Sequence, residues 1–416
     1  MKFNKWTLAL AGAGVVSLGA VAYGEEKPMS QVLTGVSQTT LSGYVDTSAM
    51  WFIGPANPPD SVALPGRAFD GANKINGFNL DVIELTLEKP LSEDQWASGY
   101  NVQLLFGPDA VNYNPSVSNT GAVTGSESDF AVKQAYVAMR VPVGTGLDLK
   151  VGVWNTIIGY ESFESYANPN FSRSYGWQLE PTQNTGLLGS YKVSDALSFS
   201  AGVANTWIAG TDVKNPYDFS RLTYMGSATL TAPDSWGSLK GSALYAGIVY
   251  GNSTGNYKQT TSTYFGATVS TPVEGLAVGA AFDYRNNGPG SFVQNPTVTT
   301  DGYLAYDNYA WALAGYVTFQ ASEKWKLAGR YDFTQASAGT WFTAIGANYG
   351  GTPFDTQKLS SLTLTADYSL WQNVITRAEM RWDHSCTGQT PFGESGGNPA
   401  GNKDAVTLAA NVIYKF

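Results

Sequence analysis

The amino-acid sequence predicts an all-β protein, a transmembrane up-and-down antiparallel β-barrel of about 16 strands with short periplasmic turns and long extracellular loops. Three observations predict this fold. Sixteen stretches of about ten residues alternate apolar and polar side chains, and each is long enough for a tilted membrane strand. The links between them are alternately short and long. Only 14% of the residues are charged, whereas a soluble protein carries about a quarter.

The alternation follows the period of a β-strand, in which successive side chains point to opposite faces. In the segment KWKLAGRYDFT, Trp325, Leu327 and Tyr331 share one face. Lys326 and Arg330 share the other. We therefore expect each strand to have one lipid-facing and one water-facing side. The predicted strands cover residues 39–52, 75–88, 98–106, 130–142, 147–154, 183–193, 195–207, 221–232, 238–250, 260–271, 275–286, 307–320, 324–335, 357–368, 374–383 and 404–416.

The links between the predicted strands show a second regularity. A soluble sandwich has no reason to sort its connections by length, whereas a barrel of hairpins places tight turns on the periplasmic side and long loops outside. Tight links lie near residues 143–146, 194–195, 272–275, 322–323 and 371–373. Long links, rich in Gly, Pro, Asn, Ser and Thr, lie at about 53–74, 107–129, 155–182, 208–220, 251–259, 287–306, 336–356 and 384–403.

The last stretch, AVTLAANVIYKF, alternates in the same way and stops on Phe416. We expect this strand to pair with the first one, because an open edge would leave backbone N–H and C=O groups unpaired in lipid. Tyr414 and Phe416 would then lie in an aromatic girdle at the periplasmic interface.

The first 24 residues predict a cleaved signal peptide. Lys2 and Lys5 precede an apolar run from Trp6 to Ala22, and small residues near Gly24 suit a signal-peptidase cut. The alternative is a membrane anchor, since the run approaches the shortest length that spans a bilayer. With cleavage, residues 25–38 form a periplasmic N-terminal tail and residues 39–416 form the barrel, located in the outer membrane.

Several function classes are disfavoured. A formal net charge of −9 argues against nucleic acid as a partner. The only histidine lies in DHSC, but adjacent residues of a strand face opposite sides, so Asp383, His384 and Ser385 do not predict a catalytic group. His384 and Cys386 are too few ligands for a closed metal site. We expect no enzyme activity, no catalytic residue, no metal and no cofactor.

Two segments carry a family resemblance. TLSGYVDTSAMW, from residue 40, and WNTIIGYESFESYANPNFSRSYGWQLEPTQNTGLLGSYKVSD, from residue 154, resemble the OmpL-like β-barrel porins of Gram-negative outer membranes. The arrangement of strands and loops resembles the family over most of the chain. Specific sequence motifs match only over about 40–52 and 151–205. It implies a pore for small hydrophilic solutes in outer-membrane lipid. A homotrimer is the usual state at this strand number, although no segment identifies a subunit face.

The loop at 155–182 is the candidate constriction. It is the third long link, and we expect it to fold into the barrel and narrow it. The alternative is an outer cap that packs on neighbouring loops. Its charged candidates are Glu161, Glu164, Arg173 and Glu180.

Charged residues on the water-facing side of the strands are candidates for lining the pore. They could select solutes by field and hydrogen bonding. Alternatively, they form mutually neutralising pairs that support the wall. The candidates are Glu84, Arg140, Lys150, Asp283, Arg285, Arg330, Asp332, Asp367, Arg377, Glu379 and Arg381.

Two function classes remain. The first is a water-filled channel for passive diffusion of small hydrophilic solutes or ions, narrowed by the loop at 155–182. The second is a structural or adhesive outer-membrane barrel that acts through its extracellular loops. Many inward positions are Gly, Ala, Ser and Thr, and a barrel of about sixteen strands leaves room for water, so the sequence favours the channel.

Overall fold

The computed structural model describes residues 31–34, 37–53, 77–113, 116–117, 123–124, 129–207, 222–252, 259–286, 309–337, 340–341, 356–392 and 402–416. The predicted signal peptide and most of the predicted long loops lie outside these residues. Of the long loops, the segment at 155–182 is described in full.

Sixteen antiparallel strands form one closed barrel, and each strand pairs with its neighbour in the chain. This confirms the predicted fold class. The strands are β1 (Ser37–Ile53), β2 (Gly77–Lys89), β3 (Ser98–Phe106), β4 (Phe130–Val141), β5 (Leu147–Asn155), β6 (Gln183–Lys192), β7 (Leu197–Ala204), β8 (Thr223–Thr231), β9 (Ala243–Asn252), β10 (Gln259–Ser270), β11 (Leu276–Asn286), β12 (Tyr309–Gln320), β13 (Trp325–Ala336), β14 (Gln357–Trp371), β15 (Val374–Ser385) and β16 (Asp404–Lys415).

A few short elements accompany the barrel. A strand at Gln31–Thr34 folds back on the start of β1, inside the segment predicted as a polar tail. A small hairpin pairs Ser116–Val117 with Val123–Thr124. Short 3₁₀ turns lie at Pro108–Tyr113, Ser165–Ala167, Gly176–Leu179 and Asp234–Leu239. None of the helical segments described is long and apolar enough to cross a membrane.

The largest departure from the predicted strand bounds is at the start of the ninth strand. We expected the ninth strand to begin at residue 238, but β9 begins at Ala243. The preceding segment forms the 3₁₀ turn after Pro233, in which Gly237 has φ of 59°. In the sequence, Leu239 continues the alternation of Ala243 and Tyr245, but its side chain is exposed and belongs to this turn.

The barrel closes between its first and last strands. β16 pairs antiparallel with β1, from Val406 opposite Ile53 to Lys415 opposite Tyr44. The pairing continues to the end of the chain, because Gly43 and Phe416 exchange two backbone hydrogen bonds of 3.0 Å each. No strand edge of the described barrel is therefore left open to lipid.

The two faces of the wall differ sharply in composition. Large apolar side chains such as Phe265, Tyr331 and Leu364 are about half exposed on the outside. Arg330 and Asp332, which flank Tyr331 in β13, are buried inside the barrel. The outside thus offers an apolar surface to lipid, and the inside holds the charged groups.

The short turns lie at one end of the barrel. The described links at 142–146, 193–196, 271–275, 321–324 and 372–373 are all tight. Left-handed residues make them possible, and Asn373 has φ of 66° in the link between β14 and β15. The start of β1 and the end of β16 lie at this same end, as expected for an up-and-down barrel.

Candidate functional site

The segment between β5 and β6 folds into the lumen rather than over its mouth. It leaves the wall after Asn155 and returns at Gln183, with a 3.1 Å backbone hydrogen bond from Thr156 to Thr182 closing its base. Nearly all its side chains are buried, although a long link would ordinarily be exposed. We call residues 156–182 the lumen loop.

Arg173 holds the lumen loop in its own shape. Its guanidinium donates to the backbone carbonyls of Ser162 (3.0 Å), Phe163 (2.8 Å) and Phe171 (2.6 Å). The side chain is completely buried, and burial lowers the pKa of this arginine. Arg173 was predicted as a constriction charge, and the structure directs that charge into the loop backbone.

Arginines of β13 and β15 anchor the loop to one wall. Arg330 donates to Glu161 (3.0 Å) and to the carbonyl oxygen of Ser172 (2.6 Å). Arg381 donates to the carbonyl oxygen of Arg173 at 2.6 Å and pairs with Asp383 at 2.8 Å.

Arg377 extends the same pattern toward the short-turn end. It forms a bidentate pair with Asp367, at 2.6 and 3.0 Å. The same guanidinium donates to the carbonyl oxygens of Ser165 (2.9 Å) and Asn168 (3.1 Å). Each of the three wall arginines therefore binds a carboxylate and the backbone of the lumen loop at the same time.

Carboxylates of the wall bind loop N–H groups in return. Glu379 accepts hydrogen bonds from the backbone of Phe171 (2.6 Å) and Ser172 (2.9 Å). Asp332 accepts one from the backbone of Tyr175 at 3.2 Å. The polar backbone of the loop, which is removed from bulk water, is thus satisfied by wall side chains.

The opposite wall holds the loop through Lys133 of β4. Its ammonium pairs with Glu164 of the loop and lies 3.6 Å from Glu84 of β2. Burial works to raise the pKa of the Glu164 carboxyl, but the adjacent Lys133 outweighs it and holds that pKa below its ordinary value. Tyr166 of the loop also packs edge-on against Tyr44, with ring centroids 5.0 Å apart.

Strict alternation in the sequence predicts the wrong face of the strand for Lys133. Val137 and Met139 face outward, and strict alternation would place Lys133 on their side. A β-bulge at Gln103–Leu104 shifts the register between β3 and β4, so that Lys133 has no paired residue and its side chain turns inward. A bulge of this kind leaves no mark in hydrophobic periodicity.

A third side of the loop is apolar and aromatic. Ile157, Ile158 and Tyr160 pack in one cluster with Trp207 and Tyr316. The Tyr160 and Tyr316 rings stack with centroids 4.1 Å apart and an interplanar angle of 14°. A side chain at Gly279 would overlap the Tyr160 hydroxyl, so glycine lets the Tyr160 ring approach β11 closely.

The last predicted loop charge, Glu180, meets Asp283 of β11. The two carboxyl groups lie next to each other. Both side chains are buried, at 7% and 3% exposure. Burial first, and then the proximity of Asp283, raise the pKa of Glu180 well above its ordinary value.

Of the remaining predicted residues, Arg140 and Lys150 lie away from this contact, and Arg285 lies two residues from Asp283 on β11. Arg140 pairs with Asp148 at 2.6 Å near the tight turn at 142–146. Lys150 lies over the Tyr136 ring, 4.6 Å from its centroid. Arg285 lies over the Trp207 ring at 4.0 Å.

The DHSC segment is divided between two faces, as expected. Asp383 accepts a hydrogen bond from Tyr175 of the lumen loop at 2.8 Å. His384 instead contacts Asp404 through Nδ1 at 2.7 Å, and Cys386 is exposed. Within the described residues, no three His, Cys, Asp or Glu side chains are grouped as a metal site requires.

The family of the chain follows from its sequence profile. Residues 38–416 match the family described as "Putative beta-barrel porin-2, OmpL-like". The chain belongs to this family. The match confirms the resemblance found in the two motif segments and extends it over the whole barrel. No curated protein matches the sequence.

Solved structures of several other proteins share the fold. The outer membrane channel DcaP of Acinetobacter baumannii has 12% identity and a TM-score of 0.57, covering 93% of this chain and 100% of that one. OmpF of Salmonella typhi has 14% identity and a TM-score of 0.56, covering 93% and 100%. The trimer form of OmpT of Vibrio cholerae has 13% identity and a TM-score of 0.53, covering 91% and 99%. At these identities the likeness shows the shared barrel fold.

The family decides between the two function classes. The protein is an outer-membrane porin, a channel for passive diffusion. The porin carries its lumen loop on the inside of the barrel, braced by β13 and β15 on one side and by Lys133 on the other.

Proposed function

We propose that the lumen loop sets the size limit for solutes that diffuse through this porin. The single observation that carries the proposal is that the loop crosses the lumen and is bonded to opposite walls. Glu164 pairs with Lys133 of β4, while Glu161 pairs with Arg330 of β13, almost directly across the barrel. A segment held at both sides removes cross-section from the water-filled path.

The charges around the loop favour size over charge as the basis of discrimination. Each wall arginine has a carboxylate partner: Arg330 has Glu161 and Asp332, Arg377 has Asp367, and Arg381 has Asp383. Paired charges give a weak net field in the lumen. The porin therefore passes small hydrophilic solutes and ions with low ion selectivity.

Removal of the loop centre tests the size limit. Deleting about Ser162–Ser174 removes most of the loop residues bonded to β13 and β15 and leaves the strand ladder intact. We expect higher single-channel conductance and entry of larger oligosaccharides in a proteoliposome-swelling assay. Folding is monitored by heat-modifiable migration on gels. A folded deletion variant with unchanged conductance and sugar cut-off contradicts the proposal.

We also propose that the porin works as a homotrimer and reaches the outer membrane by a signal peptide at residues 1–24. The trimer form of the Vibrio cholerae OmpT, with the same barrel fold, supports the first proposal. Native mass spectrometry of the detergent-extracted protein measures both features, because the mass gives the number of subunits and the start of the mature chain. A monomeric mass, or a chain that keeps residues 1–24, contradicts the corresponding proposal.

A further inference from the structure

The end of the lumen loop is attached to the wall by two acids rather than by an ion pair. Glu180, at the end of the 3₁₀ turn Gly176–Leu179, lies next to Asp283 of β11. Two carboxylates in contact repel each other, whereas a pair that shares one proton forms a hydrogen bond. The contact therefore requires a proton.

Two glycines fit the loop closely around this pair. A side chain at Gly159 would overlap the carboxyl group of Glu180, and one at Gly176 would overlap that of Asp283. The two acids are thus enclosed between the wall and the parts of the loop around Gly159 and Gly176. One oxygen of each, Oε2 of Glu180 and Oδ1 of Asp283, has no hydrogen-bond partner in the described residues.

The groups that face the pair do not neutralise it. Glu161 adds a further negative charge nearby, and the hydroxyl groups of Tyr160 and Tyr264 are uncharged at neutral pH. Arg285, two residues along β11, lies over the Trp207 ring and donates to the carbonyl oxygen of Gln178. Arg330 is held by Glu161 and Asp332.

We propose that Glu180 and Asp283 form a proton-dependent latch that holds the Gly176–Glu180 arm against β11, so that the open area of the channel increases with pH. The proposal rests on the size-limiting role of the lumen loop. When the shared proton is lost, two adjacent negative charges separate, and the arm moves away from the wall.

The direction follows from proton linkage. A detached Glu180 titrates near the ordinary value of a glutamate, about 4.3, whereas burial and Asp283 raise the pKa of Glu180 in the attached arm. Attachment is therefore strongest in acid and is lost as the pH rises through the raised pKa. Within that window, each pH unit weakens the attachment equilibrium about tenfold.

Single-channel conductance of the full-length porin in planar bilayers, recorded from pH 5 to pH 9, tests the latch. We expect the wild-type conductance to rise with pH. Glu180→Gln and Asp283→Asn each replace one acid by an amide that can donate to the remaining carboxylate without a shared proton. Both variants should keep the low conductance across the whole range.

Ser262→Ala is the matched control. The Ser262 hydroxyl donates to the carbonyl oxygen of Leu179 at 2.8 Å and holds the same arm without a titratable group. This variant should raise the conductance while keeping the pH dependence. A pH-independent wild type, a Glu180→Gln or Asp283→Asn variant with the wild-type profile, or a Ser262→Ala variant without pH dependence would overturn the latch. If deletion of Ser162–Ser174 still raises the conductance, the size-limit proposal survives such a result.

Discussion

At the scale of single residues, the wall arginines show how one side chain can serve two elements. Arg330 is almost completely buried and binds Glu161, Asp332 and the backbone of Ser172 together. From the sequence, its charge could equally have faced the solute. In the structure the guanidinium is bound by these partners and is not available to a solute. This favours a role in holding the loop over a role in ion selection.

Arg330→Ala should therefore act on the loop rather than on charge selectivity. The substitution leaves the buried carboxylates of Glu161 and Asp332 without their cation, and loss of one member of such a pair costs about 3–5 kcal/mol. We expect a looser loop and higher single-channel conductance, with a small change in reversal potential across a salt gradient. Arg140→Ala, which breaks the partly exposed pair with Asp148, is the control and should leave the conductance nearly unchanged. A large selectivity shift at wild-type conductance would contradict the bracing role.

Leu364 tests the face assignment on β14. Its side chain is 49% exposed on the outside of the barrel. Leu364→Arg should cost about 2–4 kcal/mol near the bilayer midplane, because a charge on the lipid face loses its hydration. The urea midpoint of the protein folded in lipid measures this loss, with Leu364→Ala as the control. Equal midpoints for the two variants would place this position away from lipid.

At the scale of elements, closure of the barrel depends on close approach of three strands. Gly43 of β1 lies against the carbonyl oxygen of Glu84 in β2 and beneath the Phe416 ring after β16, and an added Cβ would lie 2.8 Å from that ring. Space for even one methyl group is therefore missing where the first strand meets the last.

Gly43→Ala should destabilise the barrel by about 1–3 kcal/mol, the usual cost of overpacking. The urea midpoint measures the effect. Gly315→Ala is the matched control, since a Cβ at Gly315 on β12 meets nothing within 4 Å. Similar midpoints for both variants would show that the contact of Phe416 with β1 contributes little to closure.

At the scale of the whole molecule, all the described tight turns share one end of the barrel with the start of β1 and the end of β16. We expect this end to face the periplasm, as in other outer-membrane barrels. The orientation relative to the membrane rests on this general rule and on the sorting of the links.

Labelling of single cysteines in intact cells, on a Cys386→Ser background, measures the orientation. Cysteines at Thr120, Gly255 and Gly350, which lie outside the described residues in predicted long loops, should react with an impermeant maleimide. Cysteines in the tight turns, at Gly144 and Gly275, should stay unlabelled until the outer membrane is permeabilised. Labelling of the turns alone would mean the opposite orientation.

The sequence by itself determined the barrel, its strand number, its lipid face and its closing strand. Side chains alternate every two residues along a strand, as with Tyr331 outside and Arg330 inside, and short and long links alternate from hairpin to hairpin. These properties can therefore be recognised from local sequence patterns. Only the tertiary structure decided that the lumen loop lies inside, that Arg330 binds Glu161, 169 positions away in the chain, and that Glu180 meets Asp283. It also revealed Lys133, which a β-bulge turns inward. These contacts join segments that are distant in the chain, and no repeating sequence pattern marks them. Which charges pair and which groups are buried is determined only when the barrel wall surrounds the loop.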